Sequence, residues 1–212
     1  MINFITSYQR PNRLLSLLKE LDGTTIVLDD GSDYDPAEHK QYCRYYRYPH
    51  QGKQQFWRLW DEMLRMAKES TEDEFLFLQD DVENVQVDEI KSVTEGLNEY
   101  GFNIMRRGSP LRGWTQVRPK PTTLNGVDCF KCGYVDCIFA TNRQSLAKLN
   151  FKMEPIPPYR KQGVSSGVGE QLSQRFVKAG VPMYFPEESL AFHGDHESKM
   201  HPNRKVNHMI SQ

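Results

Sequence analysis

The chain of 212 residues contains no run of 18 apolar residues, so nothing in it reads as a membrane-spanning helix. It opens Met1-Ile-Asn-Phe-Ile-Thr6, directly in an apolar strand, without a basic stretch followed by a long apolar core. The expectation is a protein with no secretory leader that stays in the cytoplasm, or in the host cytoplasm if its source is viral. Cysteine is scarce. Cys43, Cys129, Cys132 and Cys137 are too few and too unevenly spaced for a disulfide framework, which points to free thiols in a reducing compartment. Zinc would need four well-placed ligands, and Cys137 stands within the apolar stretch 135–139, so buried inert thiols are expected instead. Low-complexity tracts, linkers and internal repeats are missing, which favours one domain over residues 1–212. A net charge of −1 by itself says nothing about partners.

The charge is nevertheless divided. Residues 1–100 hold 11 Lys/Arg against 20 Asp/Glu, whereas residues 101–212 hold 16 against 8. An acidic half suits a metal, and a basic half suits something anionic. Residues 2–6 read as a strand. Pro11 opens a helix whose Leu14, Leu15, Leu17, Leu18 and Leu21 form one stripe, closed by Asp22-Gly23. Strands follow at 24–28 and 43–48, a helix at 52–68, a strand at 74–78 and a helix at 87–100. This order predicts an α/β fold with a mostly parallel central sheet flanked by helices, Rossmann-like in kind. Beyond Gly101 the pattern loosens. Residues 106–126 read as a long loop, 127–140 as one or two strands broken at Gly133, and Thr141 or Asn142 as the cap of a short helix to 149. A proline-stiffened loop at 154–166, a helix at 168–179 stopped by Gly180, and short strands at 183–185 and 190–192 complete the pattern.

Two apolar strands end in aspartate pairs: Ile26-Val-Leu-Asp29-Asp30-Gly-Ser-Asp33 and Phe75-Leu-Phe-Leu-Gln-Asp80-Asp81-Val82. In open α/β sheets the carboxyl ends of strands carry the ligand site. Adjacent carboxylates repel unless a cation lies between them, and a divalent metal on a nucleotide diphosphate would meet that need. Asp29, Asp30 and Asp33 also suit a plain turn, since Asp-Gly-Ser is good turn chemistry.

The succession FITSYQRPNRLLSLLKEL, IVLDDGSD and FLFLQDDV resembles a family-2-like, metal-dependent GT-A glycosyltransferase. The resemblance implies a single GT-A domain, with a sugar-nucleotide half at 1–100 and an acceptor half at 101–212. The donor would be a UDP-sugar or another nucleotide-sugar and the ion Mn²⁺ or Mg²⁺. It implies Thr6, Ser7 and Arg10 in the nucleotide-gripping turn, Asp29 and Asp30 on base and ribose, Asp80 near the ribose and Asp81 on the metal. Gln79 stands where the family commonly has a first acidic residue. The segment Gly167-Val-Gly-Glu-Gln-Leu-Ser-Gln-Arg-Phe-Val-Lys-Ala-Gly180 resembles the helix of inverting members, with Glu170 as general base. The bland reading of Glu170 is a first-turn carboxylate stabilised by the helix dipole. His193, within Ala191-Phe-His-Gly-Asp-His, matches the histidine that completes the metal shell, and imidazole favours Mn²⁺. Asp195, His196 and His201 are candidates for the diphosphate or a lid.

Arg106, Arg107, Arg112, Arg118 and Lys120 fall within fifteen residues that hold no acid, with Trp114 among them. Arg160, Lys161, Lys199, Arg204 and Lys205 follow. Such loops suit a polyanionic acceptor, with phosphate on Arg and a base on Trp, or alternatively grip the donor diphosphate. Asp136 is a further acceptor-side candidate. The resemblance extends to phage-type enzymes that glycosylate hydroxymethylated bases in DNA, which implies DNA as acceptor. A surface polysaccharide or a lipid-linked intermediate is the alternative. The rival activities are a nucleotidyltransferase and a non-catalytic nucleic-acid-binding module. Against the first stands Ser7-Tyr-Gln-Arg-Pro11, where a glycine-rich, cationic phosphate loop would be expected.

Overall fold

The computed structural model describes residues 1–106, 119–157 and 166–193. Along the chain run β1 (Ile2–Ser7), α1 (Pro11–Glu20), β2 (Thr24–Asp29), β3 (Arg44–Arg47), α2 (Gly52–Glu69), β4 (Glu74–Gln79), β5 (Val82–Glu83) and α3 (Val87–Thr94). Then come β6 (Gly101–Asn103), β7 (Lys120–Leu124), β8 (Val127–Cys132), β9 (Phe139–Asn142), α4 (Arg143–Lys148), α5 (Val168–Ala179), β10 (Met183–Pro186) and β11 (Phe192–His193). Among the described residues, nine strands form one sheet in the order β3-β2-β1-β4-β9-β6-β10-β8-β7, and β5 pairs with β11 in a separate ribbon. β3, β2, β1 and β4 are mutually parallel; β9 runs antiparallel between β4 and β6, and β8 antiparallel between β10 and β7. β6 and β10 are parallel. The sheet is thus mostly parallel, and it is continuous from the acidic half into the basic half.

β1, β2 and β4 are nearly continuous buried runs because both faces of the sheet centre are covered. Successive side chains alternate between faces. Phe4, Ile26, Leu28, Phe75, Phe77 and Phe139 join the core under α2, α4 and α5. Ile5, Val27, Leu76, Leu78, Phe102 and Ala140 join the core under α1 and α3. Trp60, fully buried, packs its ring 4.9 Å from Phe77 and 6.0 Å from Phe139, locking α2 onto the sheet centre.

The second half departs from the expected pattern in definite ways. The helix expected to reach residue 100 ends at Thr94, where Gly96 takes φ +71° and the Asn142 amide draws the Leu97 and Asn98 carbonyls into the approach to β6. Within the expected loop 106–126, residues 120–124 are β7. It forms a hairpin with β8 through Asn125-Gly126, both in left-handed conformation (φ +49° and +86°). That is the geometry a two-residue hairpin turn demands. Residues 133–138, expected to continue the strand, form a buried bend before β9. Asn142 does cap α4, its side chain accepting the Ser145 N–H. The three cysteines of this half are buried and unbridged, and burial pushes the Cys129 thiol up to about 11. Among the described residues, no helix is long and apolar enough to cross a membrane.

Candidate active site

The chain passes from β1 outward to β2 and β3, then returns to β4 on the other side of β1. This reversal makes the crevice beyond the β1 and β4 carboxyl ends the topological switch point, where α/β sheets bind ligands. The turn leaving β1 is pinned on both sides. Gln9 N–H donates to Ser32 Oγ at 2.8 Å, in the turn after β2; Tyr8 N–H and Ser7 Oγ–H both donate to Asp80 Oδ2 at 2.9 Å, in the turn after β4. Gln9 accepts a left-handed φ of +56° to make the bend, and Pro11 begins α1 where no N–H is needed. Thr6 lies buried below, its hydroxyl 3.5 Å from the Leu78 carbonyl.

Arg10 is delivered into the crevice. Its Nη1 lies 2.9 Å from Asp80 Oδ1 and 2.8 Å from Asp81 Oδ2, with the side chain 10% exposed. A cation does sit between the paired carboxylates, and it is this guanidinium. Burial, reinforced by the Asp81 charge, pushes the Asp80 carboxyl up to about 6 against the pull of Arg10, the Tyr8 amide and Ser7. Burial pushes Asp81 up as well, but His193 and Arg10 outweigh it and hold this carboxyl at about 2. His193 arrives from the far end of the chain because β11 pairs with β5, setting His193 opposite Val82, the residue after Asp81. Its Nδ1 stands 3.5 Å from Asp81 Oδ1, a buried oxygen that makes no hydrogen bond.

Asp29 and Asp30 lie one strand further out, and both are fully buried. Asp29 accepts Ser32 Oγ–H at 2.5 Å and Arg47 Nε–H at 2.7 Å. Asp30 receives the start of α2: Gln51 N–H donates to Oδ1 at 2.5 Å and Gly52 N–H to Oδ2 at 3.1 Å, with His50 Nδ1 3.1 Å away. Gly31 lets the chain turn between them at φ +79°; a Cβ there would lie 2.7 Å from the His50 backbone nitrogen. The same turn brings the His50 ring onto Tyr8, stacked at 4.5 Å and 18°. The sequence reading missed this half-exposed aromatic pair at the mouth of the crevice. A tyrosine directly after an apolar strand was the one available signal, and the partner 42 positions away carried none.

Glu170 lies in the first turn of α5, half-buried, with Gln174 Nε2–H donating to it at 3.1 Å. Burial raises its carboxyl above the ordinary 4.5 while Gln174 opposes this. Asp136 faces the same helix. Gly169, adjacent to Glu170, packs so closely on the 133–138 bend that a Cβ there would lie 3.0 Å from Tyr134 Oη, 3.1 Å from Val135 O and 3.5 Å from Asp136 Cα. The Asp136 carboxylate accepts the Cys137 N–H at 2.8 Å. Arg106 is exposed, its backbone N–H bound to Ser189 Oγ. Arg107, Arg112, Trp114, Arg118, Arg160, Lys161, Asp195, His196, Lys199, His201, Arg204 and Lys205 lie outside the described residues.

Among the described residues, no group of three or more His, Cys, Asp or Glu is arranged to hold a metal ion. The donors that fit one are two, Asp81 Oδ1 and His193, which suits an ion that brings phosphate and water oxygens with it. No protein-family model and no curated protein matches the chain. Among solved structures it is similar to a CMP:2-keto-3-deoxy-manno-octonic acid synthetase complexed with CTP, at 11% identity and a TM-score of 0.41, over 87% of this chain and 88% of that one.

Proposed function

We propose that the chain is a metal-dependent transferase that uses a nucleotide-linked donor, and specifically a glycosyltransferase moving a sugar from a nucleotide diphosphate to a hydroxyl. One observation carries the reading: the buried, unbonded Asp81 Oδ1 beside His193, at the switch point of a mostly parallel sheet. A divalent cation would be held by Asp81 and His193 and would supply charge stabilisation to the departing diphosphate. The Tyr8–His50 stack offers a base a flat face. Ser7 and Asp80 hold the turn that presents Tyr8, and Asp29 and Asp30 shape the neighbouring wall. Glu170, raised by burial, takes the proton of the attacking hydroxyl, which is bound against α5 and the Asp136 bend. The acidless run from Arg106 to Lys120 supports a polyanionic acceptor, with DNA bearing hydroxymethylated bases as the specific expectation.

The direct test is incubation with radiolabelled UDP-sugars and Mn²⁺. Donor turnover that disappears in Asp81→Asn supports the reading, whereas turnover unaffected by that change defeats it. Mass analysis of hydroxymethylcytosine DNA after incubation with the donors tests the acceptor separately. Nucleotidyl transfer is the second reading. Arg10 reaches the Asp80–Asp81 pair, and Arg13 in the first turn of α1 pairs with Glu83 at 3.6 Å, two cationic groups of the kind a triphosphate would need. Pyrophosphate release from a nucleoside triphosphate and a sugar, without turnover of UDP-sugars, would select it.

A further inference from the structure

We propose that the outer edge of the sheet, from Lys40 through β3 into the first turns of α2, is a docking strip for a single-stranded nucleic acid, with Arg44 and Tyr46 at its centre. The strip belongs to the acidic half of the chain and is separate in sequence from the cationic run at 106–120. It works without donor, metal or catalytic base.

Three observations carry it. First, residues 39–60 hold no Asp or Glu, although residues 1–100 hold 20 of them. The same run contains Lys40, Arg44, Arg47, Lys53 and Arg58, together with Tyr42, Tyr45, Tyr46 and Tyr48. Second, among the described residues β3 pairs with β2 alone, which leaves its outer edge unpaired. Alternation divides its side chains between two faces. Tyr45 and Arg47 are spent on one: Tyr45 Oη–H donates to Tyr34 Oη at 3.0 Å, and Arg47 Nε–H to Asp29 Oδ2 at 2.7 Å. Arg44 and Tyr46 take the other, where Tyr48 Oη–H donates to Glu62 of α2 at 3.1 Å. Third, the strip is open. Lys40 and Arg44 are exposed, and neither has an acidic partner among the described residues. Arg58 is exposed too, its guanidinium 5.6 Å from the Trp57 ring. Tyr42 and Tyr46 are 42% and 41% exposed, and only Val177 and Phe192 among the described large apolar side chains are comparably open.

A charged edge strand by itself guards against pairing with another chain. That guard accounts for the cations but not for open tyrosine rings among them. Cations for phosphate and aromatic faces for bases are the two components of a sequence-tolerant single-strand site. A duplex keeps its bases stacked inside, so the rings would gain nothing from it. Direction matters as well. β3 is parallel to β2 and β1, so its carboxyl end lies on the side of the crevice. Tyr48-Pro49 then lead to His50, whose ring stacks on Tyr8 at the crevice mouth. His50 follows Tyr46 by four residues, at most about 14 Å of chain. A strand held along β3 therefore ends at the place where the proposed transfer takes a base-borne hydroxyl.

The test is fluorescence anisotropy of labelled oligo(dT) and oligo(U), titrated with the full chain across a range of salt. Salt-sensitive binding of either carries the proposal, and the tighter of the two names the source. Tyr46→Ala is expected to weaken it about tenfold, the worth of one stacked base. Arg44→Gln should weaken it and lower the salt slope by about 0.7, the signature of one lost phosphate contact on a single strand. No binding at low salt overturns the proposal, as do variants with native affinity and slope. A duplex bound as tightly as the single strand overturns it too, because paired bases cannot stack on the rings. So does a dimer in sedimentation that Tyr46→Ala disperses, since a second copy then occupies the edge. One arm uses the native protein alone. Oligonucleotides carrying 5-iodouracil, which photocrosslinks to aromatic side chains, are expected to label the peptide from Tyr42 to Tyr48, and labelling confined to other peptides overturns the proposal even if a variant fails to fold. Oligonucleotide binding without turnover of UDP-sugars keeps the strip and removes the transfer reading; turnover without such binding does the reverse.

Discussion

Asp30→Asn separates a wall residue from a ligand-binding one. In the folded protein the Asp30 carboxylate is fully buried and spends its oxygens on Gln51 N–H, Gly52 N–H and the nearby His50 ring. Asparagine keeps the shape but turns one acceptor into a donor, which then faces an N–H. Losing one hydrogen bond to a charged acceptor costs about 1.5–3 kcal/mol. Losing a carboxylate at a helix N-terminus costs about 0.5–1 kcal/mol more. Part of this is returned, because a neutral amide is cheaper to bury than a carboxylate. The expected net loss is about 1–3 kcal/mol, or roughly 3–10 °C in Tm for a chain of this length. The pH dependence adds a second signature. Burial raises the Asp30 carboxyl above its ordinary 3.8, with Gln51, His50 and Gly52 opposing. The folded state therefore keeps the proton longer than the unfolded state. Its contribution is full below the ordinary value and is lost as pH rises through the folded one. That decline in stability, just above the ordinary carboxylate range, should be absent from Asp30→Asn. Urea unfolding across pH 3–7, paired with UDP calorimetry in Mn²⁺, reads both. A variant as stable as native whose UDP affinity falls tenfold would refute the assignment of Asp30 to the α2 start.

Gly31→Ala should be harsher for its size. It combines a φ of +79° with a Cβ 2.7 Å from backbone nitrogen, so a loss of at least about 2 kcal/mol in urea unfolding is expected, and an unchanged midpoint would mean the turn can relax. Glu170→Gln should reduce kcat by about 10²–10⁴ while leaving UDP affinity alone. Because burial raises Glu170 above 4.5, the acid limb of the native rate profile should lie above the ordinary carboxylate range and vanish in the variant; an unshifted limb in Glu170→Gln assigns the base elsewhere.

The first half of the fold was legible because its signals are local. The leucine stripe of α1, the unbroken apolar strands and the Asp-Asp ends each fall within one element, and the order of elements implies parallel pairing. The second half is built from short pieces. β6 has three residues, too few for periodicity, and gains its identity from antiparallel β9 and parallel β10 beside it. Polar and proline-containing, β7 exposes most of its length on the sheet edge, so its composition reads as loop. Asn125-Gly126 carried the hairpin in plain view, masked by the Gly- and Arg-rich run before it. The position of His193 next to Asp81 depends on a two-residue ribbon between strands 110 positions apart, which no pattern in either strand encodes.

The paired-carboxylate logic shows how far residue types alone can carry a site. Two aspartates at a dry strand end require a cation, and that much follows from repulsion and burial. Which cation is a matter of geometry. The guanidinium of Arg10 answers the requirement with the chain's own chemistry, and it does so from a turn that sequence resemblance assigned to the nucleotide. The two assignments are compatible if the arginine changes partners. The buried Asp81 Oδ1 makes no hydrogen bond and is the oxygen of the pair that Ser7, Tyr8 and Arg10 do not use, with His193 Nδ1 3.5 Å from it; a buried acceptor left so costs about 1–3 kcal/mol until a further partner arrives.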